Sequence, residues 1–122
     1  CALPIFPTRG HRMGGQTEPR IFVVDDDEAV RDSLLVLLGN KGFATMAYES
    51  ADSFLAAYRP ETRGCLLLDI RMPGVDGMTL LKQLAAHRTS LPIIMMTGHG
   101  DVATAVRAMR IGAFDFLEKP FT

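Results

Sequence analysis

Long apolar runs are missing from this chain: no stretch approaches the ~20 residues that a membrane-crossing helix requires, so a soluble protein is expected. Runs of arginine or lysine are also missing, and 13 Lys and Arg against 14 Asp and Glu leave a formal charge of -1. Without a basic face, direct binding of nucleic acid by these residues is not expected. Cysteine is scarce. Cys1 and Cys65 supply neither a disulfide framework nor a zinc spacing. Cys65 lies inside an apolar run and reads as a small core residue in a reducing compartment, which gives a cytoplasmic expectation. The stretch from Cys1 to Arg12 has no starting Met and no signal-peptide core, whereas Met13 begins a plausible native start. Residues 1–12 therefore read as vector-derived or upstream-translated sequence within an N-terminal extension over 1–19.

What is present suits one domain. Of the 122 residues 48% are hydrophobic, enough to bury one core of ordinary size and not two. Ile21 to Val24 is a short apolar run, followed by acids and by a helical stretch from Glu28 to Leu38 with Val30, Leu34, Leu37 and Leu38 at helical spacing. Gly39 to Gly42 ends it. Phe43 to Tyr48 alternates as a strand does, Ser50 is placed to cap a helix carrying Phe54, Leu55 and Tyr58, and residues 60–64 read as a loop. Cys65 to Leu68 predicts a buried strand, Met78 to His87 a helix, Leu91 to Met96 a further strand, and Asp101 caps a helix running to Ile111 and closed by Gly112. Ala113 to Leu117 supplies the last strand. Strands alternating with helices imply an α/β fold with a parallel sheet covered on both faces by right-handed crossovers.

Polar residues stand where the apolar strands stop: Asp25, Asp26 and Asp27 after the first, Asp69 after the third, Thr97 after the fourth, and Lys119 before Pro120 after the fifth. In a parallel sheet those ends share one edge, so groups far apart in sequence converge in one crevice. Carboxylates, a hydroxyl and an ammonium gathered there suit a divalent cation and a phosphoryl group. Magnesium takes oxygen ligands in near-octahedral geometry and keeps several waters, so one or two carboxylates suit it.

The order and wording of these segments resemble the receiver domain of response regulators, the CheY-like family. The matching runs are Val23-Val24-Asp25-Asp26-Asp27, Leu66 through Gly77, Met96-Thr97-Gly98-His99-Gly100, and Phe116-Leu117-Glu118-Lys119-Pro120-Phe121. The likeness covers roughly residues 20 to 122, and its wording is similar to that of FixJ and NtrC regulators. It implies a flavodoxin-like, doubly wound sheet of five parallel strands in the order 2-1-3-4-5. It also implies a fifth helix after the Lys-Pro-Phe segment. The chain stops at Thr122, so the receiver reads as 20–122 without that helix.

By this resemblance, Asp69 accepts a phosphoryl group from a sensor histidine kinase. Asp25, Asp26, Asp69 and the backbone carbonyl of Arg71 hold Mg2+, with Asp26 binding directly and Asp25 acting nearby or through water. Lys119, aimed inward by a cis bond to Pro120, meets a phosphoryl oxygen. Thr97 and Phe116 form the switch, Arg71 and His99 flank the path of the attacking water, and a homodimer through the fourth helix and fifth strand is possible for the family. The output domain lies outside this chain. The domain catalyses its own phosphorylation and dephosphorylation and is not a turnover enzyme.

Plainer readings accompany these. Asp27 with Glu28 suits a simple helix start; Lys119 could be a surface lysine beside Glu118, Thr97 a strand threonine, Phe116 a core ring. Gly74 and Gly77 read as turn glycines. Two functional alternatives remain: an interaction or dimerisation module that never uses the site, and a magnesium phosphohydrolase, for which no second acid stands two residues after the nucleophile, where Arg71 sits.

Overall fold

The computed structural model describes residues 19–72, 74, 76–87, 89–98 and 102–119. Along the chain run β1 (Arg20–Val24), α1 (Glu28–Asn40), β2 (Thr45–Tyr48), α2 (Ala51–Ala57), β3 (Gly64–Asp69), α3 (Gly77–Ala86), β4 (Ile93–Thr97), α4 (Val102–Ile111) and β5 (Asp115–Glu118). All strand pairs are parallel and the sheet order is β2-β1-β3-β4-β5. This is the doubly wound order that the resemblance implied. The order reverses between β1 and β3, where open α/β sheets leave a crevice at the strand ends.

Side chains alternate across each strand, and both sets are apolar. Phe22, Val24, Leu66, Leu68, Ile93 and Met95 join Phe54, Leu80, Leu81, Leu84 and Ala108 in one core. Ile21, Val23, Cys65, Leu67, Ile94 and Met96 form the other with Leu34, flanked by Val30 and Leu38. The first core thus draws on α2, α3 and α4, and the second on α1. Cys65 is buried, and burial pushes its thiol up to about 11, so it behaves as the small core residue expected of it.

Several boundaries differ by a residue or two from the sequence expectation. Strand β2 begins at Thr45, not Phe43, and β4 at Ile93, not Leu91, while β5 starts at Asp115 and ends at Glu118. Leu91 and Ala113 are nonetheless buried, because the chain enters the core before its ladder begins. Helix α1 runs past Leu38 to Asn40, and Gly42 supplies the left-handed backbone, φ 90°, that turns the chain toward β2. Leu37, expected inward, is 42% exposed. Leu34, with Val30 and Leu38 beside it, already fills the contact stripe, and Leu37 sits at its edge.

Residues 1–18, His99, Asp101, Pro120 and Phe121, on which the sequence raised expectations, lie outside the described residues.

Candidate phosphoacceptor site

Register sets the site. Val24 pairs with Leu68, which sets Asp25 level with Asp69; Asp69 pairs with Met96 and Thr97 with Glu118, so the edge moves one residue further along the sequence from β3 to β4 and again from β4 to β5. Asp25, Asp69, Thr97 and Lys119 therefore end adjacent strands along one rim. Backbone bonds fix the rim: the Asp25 amide donates to the Tyr48 carbonyl at 3.2 Å, Ile70 to Met96 at 3.1 Å, and Lys119 to Thr97 at 2.8 Å.

Three polar residues at this rim are buried: Asp25 at 0%, Asp69 at 5% and Thr97 at 2% exposure. Asp26 is exposed beside them, and one carboxylate oxygen from each of Asp25, Asp26 and Asp69 lies within 4.8 Å of the others. The Lys119 ammonium bridges the two buried acids, 2.8 Å from Asp25 Oδ2 and 3.2 Å from Asp69 Oδ1. A buried carboxylate without such a partner would be costly, so this contact explains how the apolar runs tolerate their terminal acids. It also answers the plainer reading of Lys119, whose side chain is turned into the acid cluster.

Burial pushes the Asp69 carboxyl up from 3.8 to about 6, with the charge of Asp25 adding to the rise and Lys119 opposing it. Burial by itself would lower the Lys119 ammonium. The hydrogen bond from Lys119 to Asp25 and the charges of Asp69 and Asp25 outweigh that and hold it above its ordinary range.

The acid triplet divides its labour. Asp27 caps α1, its carboxylate accepting the Ala29 amide at 2.9 Å, which is the plainer reading of that residue. Asp25 turns inward and accepts the Asp27 amide at 2.9 Å as well as the Lys119 ammonium. Asp26, between them, points neither into the core nor into the cap and is left at the cluster's exposed side.

Thr97 ends β4, and its hydroxyl donates to the Leu117 carbonyl of β5 at 3.3 Å. Phe116 is half-buried against the larger core and pairs with Met95. Arg71, two residues past β3, is exposed.

Two features escaped the sequence reading. Asp76 caps α3 by accepting the Thr79 amide at 2.9 Å, so the helix begins at Gly77 and not Met78; an aspartate one residue before a glycine and an apolar helix was the available signal. Gly77 is not a turn glycine, since its φ is not positive. A Cβ there would stand 2.0 Å from the Asp69 carbonyl, and the Gly77 amide donates to Ile70 at 2.9 Å. Absence of a side chain lets α3 press against the backbone of Asp69. Gly74, φ 75°, does serve a turn.

An all-oxygen set of three carboxylates around one small space suits a hard divalent cation of magnesium's kind. With the ammonium beside it, the site can hold a cation and an incoming anion at once.

A family model described as the response regulator receiver domain matches residues 21–122. The chain is 51% identical over 105 residues to the transcriptional regulatory protein FixJ of Bradyrhizobium diazoefficiens, covering 86% of this chain and 51% of that protein. It is 46% identical over 101 residues to the DNA-binding transcriptional regulator NtrC of Salmonella typhimurium, covering 83% of this chain and 22% of the relative. Among solved structures, full-length FixJ from B. japonicum superposes with a TM-score of 0.79 at 50% identity, over 86% of this chain and 52% of that one. The chain spans about half the length of the FixJ relatives it matches.

Proposed function

Because the chain belongs to the response regulator receiver family, we propose that it is a phosphoacceptor, switched when a sensor histidine kinase phosphorylates Asp69. The observation that carries this reading is the cluster itself: Asp25, Asp26 and Asp69 within 4.8 Å, with Lys119 bonded to two of them. The Asp69 oxygen attacks the phosphorus of the donor phosphohistidine, a P–O bond forms as the P–N bond breaks, and the leaving imidazole nitrogen takes a proton from water. Asp26 and Asp69 would hold Mg2+ directly, with Asp25 beside them and the Arg71 carbonyl as a further oxygen. When bound, the ion offsets negative charge on the phosphoryl oxygens.

Lys119 supplies a second positive charge. Its ammonium already reaches Asp69 and needs only a small rotation to meet a phosphoryl oxygen on that side chain. Thr97 would exchange its bond to the Leu117 carbonyl for one to the phosphoryl group, and Phe116 would follow it inward. The phosphorylated state is then favoured by contacts that the free state lacks, which shifts an existing equilibrium. Arg71 and His99 would tune how fast water removes the phosphoryl group, and the domain resets without acting as a turnover enzyme.

The exposed apolar side chains of Val102, Val106 and Met109 on α4, with Phe114 and Leu117 around β5, are where a changed contact surface would be read, including a homodimer. The parent protein is a transcription regulator of the FixJ kind, cytoplasmic, with its output domain beyond this chain; no described helix is long and apolar enough to cross a membrane. A module that never uses its site has no need of two buried acids held by a lysine.

Treatment with phosphoramidate, whose P–N bond imitates phosphohistidine, tests the proposal. Expected is one phosphoryl group per chain that requires magnesium and is slowed strongly by Lys119→Met. Equal labelling without magnesium would contradict the assignment of the acid cluster.

A further inference from the structure

The β1 pairings end at Val24, yet the next residue, Asp25, is fully buried. Its carbonyl thus lies past the ladder and needs another donor, since an unpaired buried carbonyl is costly. Arg31, in the first turn of α1, provides it. Its Nη1 donates to the Asp25 carbonyl at 2.8 Å, across six residues. The same short turn carries the Asp27 amide bonded to Asp25 Oδ1 and the Arg31 amide bonded to the Asp27 carbonyl at 3.1 Å. Asp26 sits inside this loop of bonds, with Arg31 holding the carbonyl immediately before its own amide.

From this geometry we infer that Arg31 is a positioning residue for the cation site: by gripping the Asp25 carbonyl it fixes the peptide from which Asp26 projects. The inference rests on the magnesium-binding reading given above. Arg31 touches no reacting atom, and its guanidinium carries a charge that by itself would repel an incoming cation. Position and charge therefore act with opposite sign on magnesium affinity, and that difference makes the role testable. Outer groups that orient ligands typically change metal affinity by about 10- to 100-fold. Here the held group is a backbone peptide one step removed from the ligand, so the lower end applies.

The test measures magnesium binding by calorimetry on the whole chain for wild type, Arg31→Gln and Arg31→Lys, with amide hydrogen exchange across residues 25–27 recorded without metal. Arg31→Gln is expected to bind magnesium about tenfold more weakly and to exchange the Asp27 amide faster. Arg31→Lys keeps the charge but has a shorter reach, and should fall between the two. If Arg31→Gln fails to fold, as judged by circular dichroism, Arg31→Lys carries the test, because a role of charge alone leaves its affinity at the wild-type value. Magnesium affinity unchanged or tightened in Arg31→Gln overturns the inference while leaving the receiver reading intact. A wild-type chain that binds no magnesium overturns the cation reading, and faster exchange in Arg31→Gln would then still support the grip on the turn.

Discussion

At pH 7 the Asp69 carboxylate is ionised in surroundings that disfavour it, since burial and Asp25 push its pKa up to about 6. The folded chain thus holds that proton more tightly than the unfolded chain does. The contribution of Asp69 to stability is greatest below pH 3.8 and is lost as pH rises from there through about 6. Asp69→Asn cannot ionise, so the metal-free variant should be more stable than wild type by up to about 3 kcal/mol at pH 7, with the gain vanishing below pH 4. Urea unfolding at several pH values reads this, and a variant less stable at pH 7 would contradict it. Lys119 behaves in the opposite way. Lys119→Met leaves two buried carboxylates facing each other, and should cost about 2–3 kcal/mol at pH 7, less than for a fully buried pair because the lysine side chain is 23% exposed. Lowering the pH to 5 should recover part of that loss, by protonating one of the acids.

Among the elements, α3 and α1 show how much a glycine's setting matters. A Cβ at Gly77 meets the Asp69 carbonyl at 2.0 Å, whereas one at Gly39 meets nothing within 4 Å. Gly77→Ala should destabilise by about 2–3 kcal/mol through overpacking. Gly39→Ala, in the last turn of α1, should stabilise by about 0.5–1 kcal/mol. Thermal melts of the pair check both, and similar effects at the two positions would show that the approach of α3 to β3 is looser than described. The contrast also marks what the sequence could reveal. Asp25, Asp69, Thr97 and Lys119 were legible because each interrupts an apolar run at a strand end, and a parallel sheet brings those ends to one edge. Gly77 was not, because its role depends on how closely two distant backbones approach. Arg31 was hidden for a similar reason: its bond spans six residues around a turn whose shape no periodicity encodes. The bond from Thr97 to the Leu117 carbonyl follows from the β4–β5 register, and the resemblance supplied only where the hydroxyl goes once phosphate is present. Leu37 misled because a hydrophobic helix offers more apolar positions than one sheet face can cover.

For the molecule as a whole, fold and chemistry are coupled through the crowded acids. A cation that binds the folded cluster and not the unfolded chain must raise stability by mass action, by about 2.7 kcal/mol when its concentration is 100 times the dissociation constant. Magnesium should therefore raise the melting temperature of wild type, and raise it much less in Asp26→Asn; equal shifts in both would place the ion elsewhere. On the proposed function the exposed apolar residues on α4 and around β5 are the outlet for the signal, and replacing Val106 with a charged residue should weaken any phosphorylation-dependent association without changing the rate at which Asp69 is modified. The signalling role depends on Asp69 being the acceptor. The most direct test is intact mass after reaction with a small phosphodonor and magnesium, comparing wild type with Asp69→Asn. The account requires a single phosphoryl adduct on wild type and none on the folded variant, and an adduct of equal yield on Asp69→Asn would contradict it.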